Sequence, residues 1–393
     1  MKRPSLVLPI IVFAQFCCTS LWFAGNSVID QIVKAFDLSG DSLAHLSSSV
    51  QFGFIAGTLV FAVFTIADRF SPSKVFFVCA SLGALFNLIT LWEGNTMISL
   101  LLVRSLTGLC LAGIYPVGMK ITADYFDKGL GKSLGYLVGA LVLGTAFPHI
   151  LNVFTDQLDW SLVMQGTSGL ALLGGSMMIF WIPDGPYRKS SSKFDAKAMF
   201  NVFQRTDFRA AAFGYFGHMW ELYAFWVFVP VLLQKYILQN ASYGINVSGW
   251  SFLIIGIGAL SCVFGGYLSS GFGAKKVAQS ALFLSGICCV ISVLSFDFPP
   301  VLFLSFMLFW GIVVIMDSPM FSTLVAQSVD PKNKATGLTI VNCIGFSITI
   351  VSIQLLSQFI ATSDGHWVFV LLSIGPFFGL IGLGTTRRSD AKP

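Results

Sequence analysis

Glutamate occurs only twice in this chain of 393 residues, at Glu93 and Glu221, and Glu221 lies in the middle of a long apolar run. His218 precedes it by three residues, which on a helix places both on one face. Few other ionisable groups interrupt apolar stretches in this way: Arg104, Asp317 just before Pro319, His149 after Pro148, and Lys120 with Asp124. A carboxyl or imidazole held away from water can take up and release a proton, bind a cation, or pair with an opposite charge. Glu221 is the first candidate for proton coupling, tuned by His218 and Arg104. Its alternative role is a permanent pair with either group that fixes helix packing. Asp317 reads as a second proton or cation site, or else as a partner for Lys120 or the cap of a kinked helix. Arg104 is an anion-binding group or a standing counter-ion to Glu221. His149 reads as a packing histidine, and Lys120 with Asp124 as an ion pair one helical turn apart.

Other chemistries find no support. The eight cysteines all fall inside apolar runs, where they act as small apolar residues rather than as disulfides or zinc ligands. There is no phosphate-binding loop, His-Glu-x-x-His motif or nucleophile elbow. The chain is therefore not expected to be an enzyme. It needs no cofactor, with a proton gradient as the driving force.

The elements that position these groups follow from composition. Charged residues make up 10% of the chain and apolar residues 55%, whereas roughly a quarter of an average soluble domain is charged. So few charges cannot cover a water-soluble fold, and an all-α protein of the lipid bilayer remains. Twelve apolar stretches are long enough to span: 6–28, 43–67, 75–92, 97–122, 133–155, 160–182, 209–234, 249–270, 276–296, 299–328, 336–360 and 367–385. Segment 183–208, rich in Lys, Arg and Ser, reads as a cytoplasmic linker between an N-terminal bundle (1–182) and a C-terminal bundle (209–393). At 1.5 Å per residue, Glu221 lies ~18 Å from Arg209 and ~21 Å from Lys235, close to the midplane.

Twelve crossings put both termini on one side. That side holds Lys2, Arg3, Arg69, Lys74, Lys128, Lys132, the linker's basic residues, Lys275, Lys276, Lys332, Lys334, Arg387, Arg388 and Lys392. The other holds only Lys34 and Lys235. This bias places the termini in the cytoplasm and the chain in a cell inner or plasma membrane. It also explains the formal net charge of +5 without a nucleic-acid partner. The opening Met-Lys-Arg and apolar run is not read as a cleaved signal peptide, because it has no small-x-small site.

The second half echoes the first at a spacing of about 202–203 residues, with Gly108, Pro116 and Gly135 matching Gly311, Pro319 and Gly337. Parallel six-span repeats are a standard transporter architecture. The loop Ala67-Asp68-Arg69-Phe70-Ser71-Pro72-Ser73-Lys74 resembles the signature loop of the major facilitator superfamily, departing from it at Phe64 and Ser71, where glycines are usual. Arg104-x3-Gly108-x4-Gly113 resembles that family's span-four motif. Span five lacks the Gly-Pro pair of the antiporter motif, so the direction of transport stays open.

The resemblance implies twelve transmembrane helices in two pseudo-symmetric bundles, acting as a monomer by alternating access, with spans one, four, seven and ten lining a central cavity. It implies a proton-coupling set of Glu221, Asp317 and His218. For substrate contacts it points to Arg104, Tyr115, Tyr223, Gln15 (which aligns with His218), Asn26 and Trp22. It implies a cytoplasmic latch at Asp68, with Arg69 and Lys74, facing a helix N-terminus of the other half. Two acids and one Arg suit a cationic, zwitterionic or weakly polar organic solute. Uptake of a nutrient or metallophore and export of a drug-like or siderophore-like compound both fit. A membrane sensor would be expected to carry an extra soluble domain, and the longest loop has about 26 residues.

Overall fold

The computed structural model describes residues 4–126, 130–155, 159–188, 201–241, 244–330, 334–362 and 366–384. Among these, every regular element is helical, and eleven helices are long and apolar enough to cross a membrane. Spans two and three are Ser42–Val63 and Pro72–Ile89, five and six Leu130–Thr155 and Ser161–Trp181. Span seven is Thr206–Asn240, longer than expected at both ends, and eight and nine are Val247–Phe272 and Ala274–Ser295. Span eleven is Lys334–Thr362, and span twelve opens as the 3-10 helix His366–Ser373 before Ile374–Gly384. Residues 189–200 of the expected linker lie outside the described residues, as do Lys2, Arg3, Lys128, Lys332 and the basic residues after 384.

Three spans are broken. Span four divides into Met97–Ala112 and Tyr115–Tyr125, and span ten into Pro300–Met316 and Ser318–Gln327. Pro116 and Pro319 lack the N–H that would continue the ladder, and each ring crowds the carbonyl four residues earlier. Span one is the twelfth crossing and not a single rod: Pro4–Thr19 is followed by Ala24–Ser27 and Ile29–Ala35. No proline causes this break. The hydroxyls of Thr19 and Ser20 donate to the carbonyls of Gln15 and Cys17 at 2.8 and 2.7 Å, and the next turn tightens, with Trp22 N donating to Thr19 O at 3.0 Å.

The duplication is visible in packing. A Cβ on Gly108 would lie 2.0 Å from the carbonyl oxygen of Val50 in span two. A Cβ on Gly311 would lie 2.0 Å from that of Ile254 in span eight, so spans four and ten press backbone to backbone on matching neighbours. The halves meet along spans five and eight and along spans two and eleven. On the side away from the termini (the far side), Asn152 donates to Ser248 Oγ at 3.0 Å and Gln354 to Ser48 Oγ at 2.9 Å. Toward the termini, the Tyr136 and Tyr267 hydroxyls lie 3.3 Å apart, while Tyr115–Tyr125 and Ser318–Gln327 touch at no more than a point. Large apolar side chains such as Phe52, Phe154, Phe180 and Val301 face outward, as a lipid-facing surface requires.

Candidate translocation site

His218 on span seven and Asp317 at the break of span ten form a buried pair, Nδ1 to Oδ1 2.8 Å. Neither Asp317 oxygen accepts an aligned hydrogen bond from the described residues, and His218 Nε2 has no partner among them. The pair is therefore a close contact of two ionisable groups with spare hydrogen-bonding capacity. The Tyr215 and Phe321 rings flank the imidazole, with centroids 6.0 and 5.9 Å away. Lys120, the partner expected as one alternative for Asp317, instead bonds within its own half.

Glu221 turns elsewhere. Its Oε2 accepts from Ser285 Oγ at 2.6 Å, and its Oε1 accepts from Trp310 Nε1 at 2.7 Å and from Cys289 Sγ at 3.2 Å. These donors come from spans nine and ten, and the carboxyl is 1% exposed. Neither His218 nor Arg104 reaches it, so the expected tuning by those groups is corrected. The spacing that put His218 and Glu221 on one face still separates them by about 60° around the helix axis and about 4.5 Å along it, enough for His218 to meet Asp317 while Glu221 meets span nine and, elsewhere on span ten, Trp310. Among the described residues no cation pairs with Glu221.

Arg104 is not the counter-ion of Glu221. Its guanidinium donates to Trp22 O at 2.7 Å and Leu21 O at 3.3 Å, the carbonyls released where span one breaks. A buried backbone carbonyl without a partner is costly, and Arg104 supplies one to each. The break also turns Trp22 toward Phe54 (5.0 Å), Tyr223 (5.7 Å) and Phe346 (5.8 Å). Phe54 and Phe346 close this layer across the halves at 4.4 Å. Trp22 and Tyr223, expected substrate contacts, are thus sealed in an aromatic layer between the halves.

Gln15 is fully buried, and neither amide atom has a hydrogen-bond partner among the described residues. It packs so closely on Gly118 of span four that a Cβ there would lie 2.2 Å from its Oε1. This approach of span one to span four mirrors His218 against span ten. Tyr115 is half-buried at the span-four break. Asn26 donates to Ser47 Oγ at 2.7 Å on the far side of the aromatic layer, away from Gln15 and His218.

The expected latch also differs. Asp68 pairs with Lys120 of its own half at 2.8 Å, and Lys120 reaches Asp124 at 3.6 Å, the ion pair expected from spacing. Arg188 donates to the carbonyls of Asp68 and Phe70 at 2.9 and 2.8 Å and pairs with Asp184, so the segment after span six is stitched to the loop. The Arg69 guanidinium lies 5.8 Å from the Phe70 ring centre, and Lys74 is exposed. The signature loop is held by the first half rather than by a helix of the second.

Ser285, Cys289, Trp310, Phe54 and Phe346 escaped sequence reading. A serine, a cysteine and three aromatics inside apolar spans carry no motif. Only the four-residue spacing of Ser285 and Cys289, one helical face, was available as a signal.

Broken helices meeting near mid-depth, a duplicated six-span bundle and a sealed aromatic layer define a membrane protein of the transporter architecture. The Major Facilitator Superfamily model matches residues 11–351, and the chain belongs to that family. The MFS-type transporter YybF of Bacillus subtilis is 25% identical over 195 residues, which span 47% of this chain and 46% of that protein. A bicyclomycin resistance protein homolog of Haemophilus influenzae is 22% identical over 274 residues, 67% of each chain. The match to YybF thus spans about half of that relative's length. Among solved structures, a point mutant of the nucleoside transporter NupG superposes with a TM-score of 0.73 at 15% identity, over 98% of this chain and 100% of that one. A bacterial homolog of the human lysosomal transporter Spinster, in an inward-facing and unoccupied conformation, gives 0.69 at 15% identity, over 98% and 95%. At such identities these likenesses concern the fold.

Proposed function

We propose that the chain is a monomeric secondary active transporter that moves a small organic solute across a cell inner or plasma membrane, coupled to protons, with both termini in the cytoplasm. The observation that carries this reading is the buried His218–Asp317 pair, ionisable groups on two expected cavity-lining spans with polar atoms left over. A proton arriving on Asp317 removes the charge that holds His218 and frees span ten at its break. Substrate contacts come from Gln15 and Tyr115 on the first-half side and from the free faces of His218 and Asp317. Trp22 and Tyr223 act as a gate that parts when the halves rock. Arg104 is assigned to holding the bend of span one, and Glu221 to fastening spans seven, nine and ten, with its expected coupling role kept as the rival that the same experiment tests. Asp68, Arg69 and Lys74 gate the side of the termini, Asp68 by exchanging Lys120 for another partner.

Export is the second reading of direction, and it is favoured by the relative named for bicyclomycin resistance, which aligns with two thirds of this chain. The test is proton flux in proteoliposomes under a solute gradient. Once a thermal-shift screen of solute classes at two pH values has supplied a substrate, its addition should move protons in the wild type and not in Asp317→Asn. Solute movement without proton movement in the wild type would leave a uniporter.

A further inference from the structure

On the far side of the aromatic layer the two halves enclose a cavity of about 700 Å³, inside the range of about 300–1,000 Å³ typical of small-molecule sites. Its wall is drawn from both halves: Asn26 and Asp30 beyond the break of span one, His149 and Asn152 on span five, Gln234 on span seven and Ser248 opening span eight. His149 is 2% exposed, yet its Nε2 has no hydrogen-bond partner among the described residues. Asn152 fixes the wall, donating to Ser27 O at 2.8 Å and, across the halves, to Ser248 Oγ at 3.0 Å. Among the described lining residues the carboxylate of Asp30 is the one full charge; there is no Lys, Arg, Phe, Tyr or Trp.

A buried imidazole nitrogen without a partner costs free energy unless something hydrogen-bonds to it. In this structure that nitrogen is closed off from the cavity, and a turn of the His149 ring on the cavity wall brings it to a ligand there. The lone carboxylate repels anions and attracts ammonium groups, and flat aromatic solutes find no Phe, Tyr or Trp ring to stack on. We infer that this cavity is a binding site in its own right, for a small hydrophilic amine that hydrogen-bonds His149 and pairs with Asp30. The layer of Trp22, Phe54, Tyr223 and Phe346 separates it from His218 and Asp317, so the site does not depend on proton coupling. A solute held here stands outside the gate while the inner groups are in either protonation state.

The experiment is equilibrium binding of radiolabelled ethanolamine to the purified full chain, with radiolabelled acetate as the anion. Ethanolamine should bind saturably and acetate should not. The dissociation constant should rise at least tenfold in His149→Ala and in Asp30→Asn, and stay within twofold in Asp317→Asn. Asp30 is exposed, so its variant decides the matter if the His149 variant fails to fold. Absence of saturable ethanolamine binding, equal binding of acetate, unchanged affinity in Asp30→Asn, or loss of affinity in Asp317→Asn would each overturn the inference. The last outcome would move binding to the inner site.

Discussion

The His218 imidazole and the Asp317 carboxylate face each other at 2.8 Å where span ten breaks, joining the two second-half spans that resemblance places on the central path. One contact thereby ties a titratable pair to a helix discontinuity. Protonation of either partner changes the force that holds span seven to span ten. Asp317→Asn keeps the shape and removes the charge. It should fold, bind substrate, and fail to accumulate it against a gradient when a pH difference is imposed, giving the level of empty liposomes. Accumulation at the wild-type level would take Asp317 out of the coupling step.

Glu221 should behave differently. Three donors hold its carboxylate, from Ser285, Cys289 and Trp310. Glu221→Ala leaves the Trp310 donor unpaired and Ser285 with only its long bond to Leu282 O, at a cost of roughly 1–3 kcal/mol for the orphaned buried group. Glu221→Gln retains one acceptor oxygen and should lose less. The expected pattern is a melting temperature that falls in the order wild type, Gln, Ala, with pH-driven accumulation preserved in the Gln variant. A Gln variant that melts like the wild type yet cannot accumulate substrate would restore Glu221 as the proton carrier.

Arg104 is a test of architecture. It satisfies the Leu21 and Trp22 carbonyls from a position 2% exposed. Lysine retains the charge but presents a point donor instead of a planar fork, so it cannot span both oxygens as Arg does. Arg104→Lys and Arg104→Ala should both destabilise, by roughly 1–3 kcal/mol per orphaned carbonyl, and should raise the accessibility of a cysteine placed at Trp22 to a water-soluble maleimide. Unchanged stability in the Ala variant would show that the break of span one does not need Arg104.

The architecture was legible because it rests on quantities that a sequence displays directly: the length of apolar runs and a common offset between halves. The broken fourth and tenth spans were foreshadowed by Pro116 and Pro319. The break of span one was not, because its causes, the Thr19 and Ser20 hydroxyls and a guanidinium more than eighty positions away, are unremarkable until folding brings them together. Among the deep groups, the residues that the sequence singles out are buried, and the structure gives them partners other than those expected. Depth along a helix follows from counting, but which neighbour a side chain meets depends on rotation and packing. A turn of about 60° about the axis separates His218, facing Asp317, from Glu221, facing Ser285. The contact of Asp68 differs from the expectation for a related reason: its motif named the loop, while Lys120, four residues before Asp124 on span four, decided the partner.

Gly108 and Gly311 provide the sharpest check that the two halves are built alike. In each, a Cβ would come within 2.0 Å of a neighbouring carbonyl oxygen, closer than any real contact, and the obstruction is backbone rather than a flexible side chain. Alanine at either position therefore forces spans two and four, or eight and ten, apart. Overpacking of this kind costs about 1–3 kcal/mol. Gly266, where an added Cβ would meet no atom within 4 Å, is the internal control. There alanine should be neutral or stabilising by up to ~1 kcal/mol through helix propensity. Thermal unfolding of Gly108→Ala, Gly311→Ala and Gly266→Ala should show the first two falling together and the third unchanged or higher. If only one of the first two fell, the matching approach of spans two to four and eight to ten would not hold both halves, and the two bundles would owe their stability to different contacts.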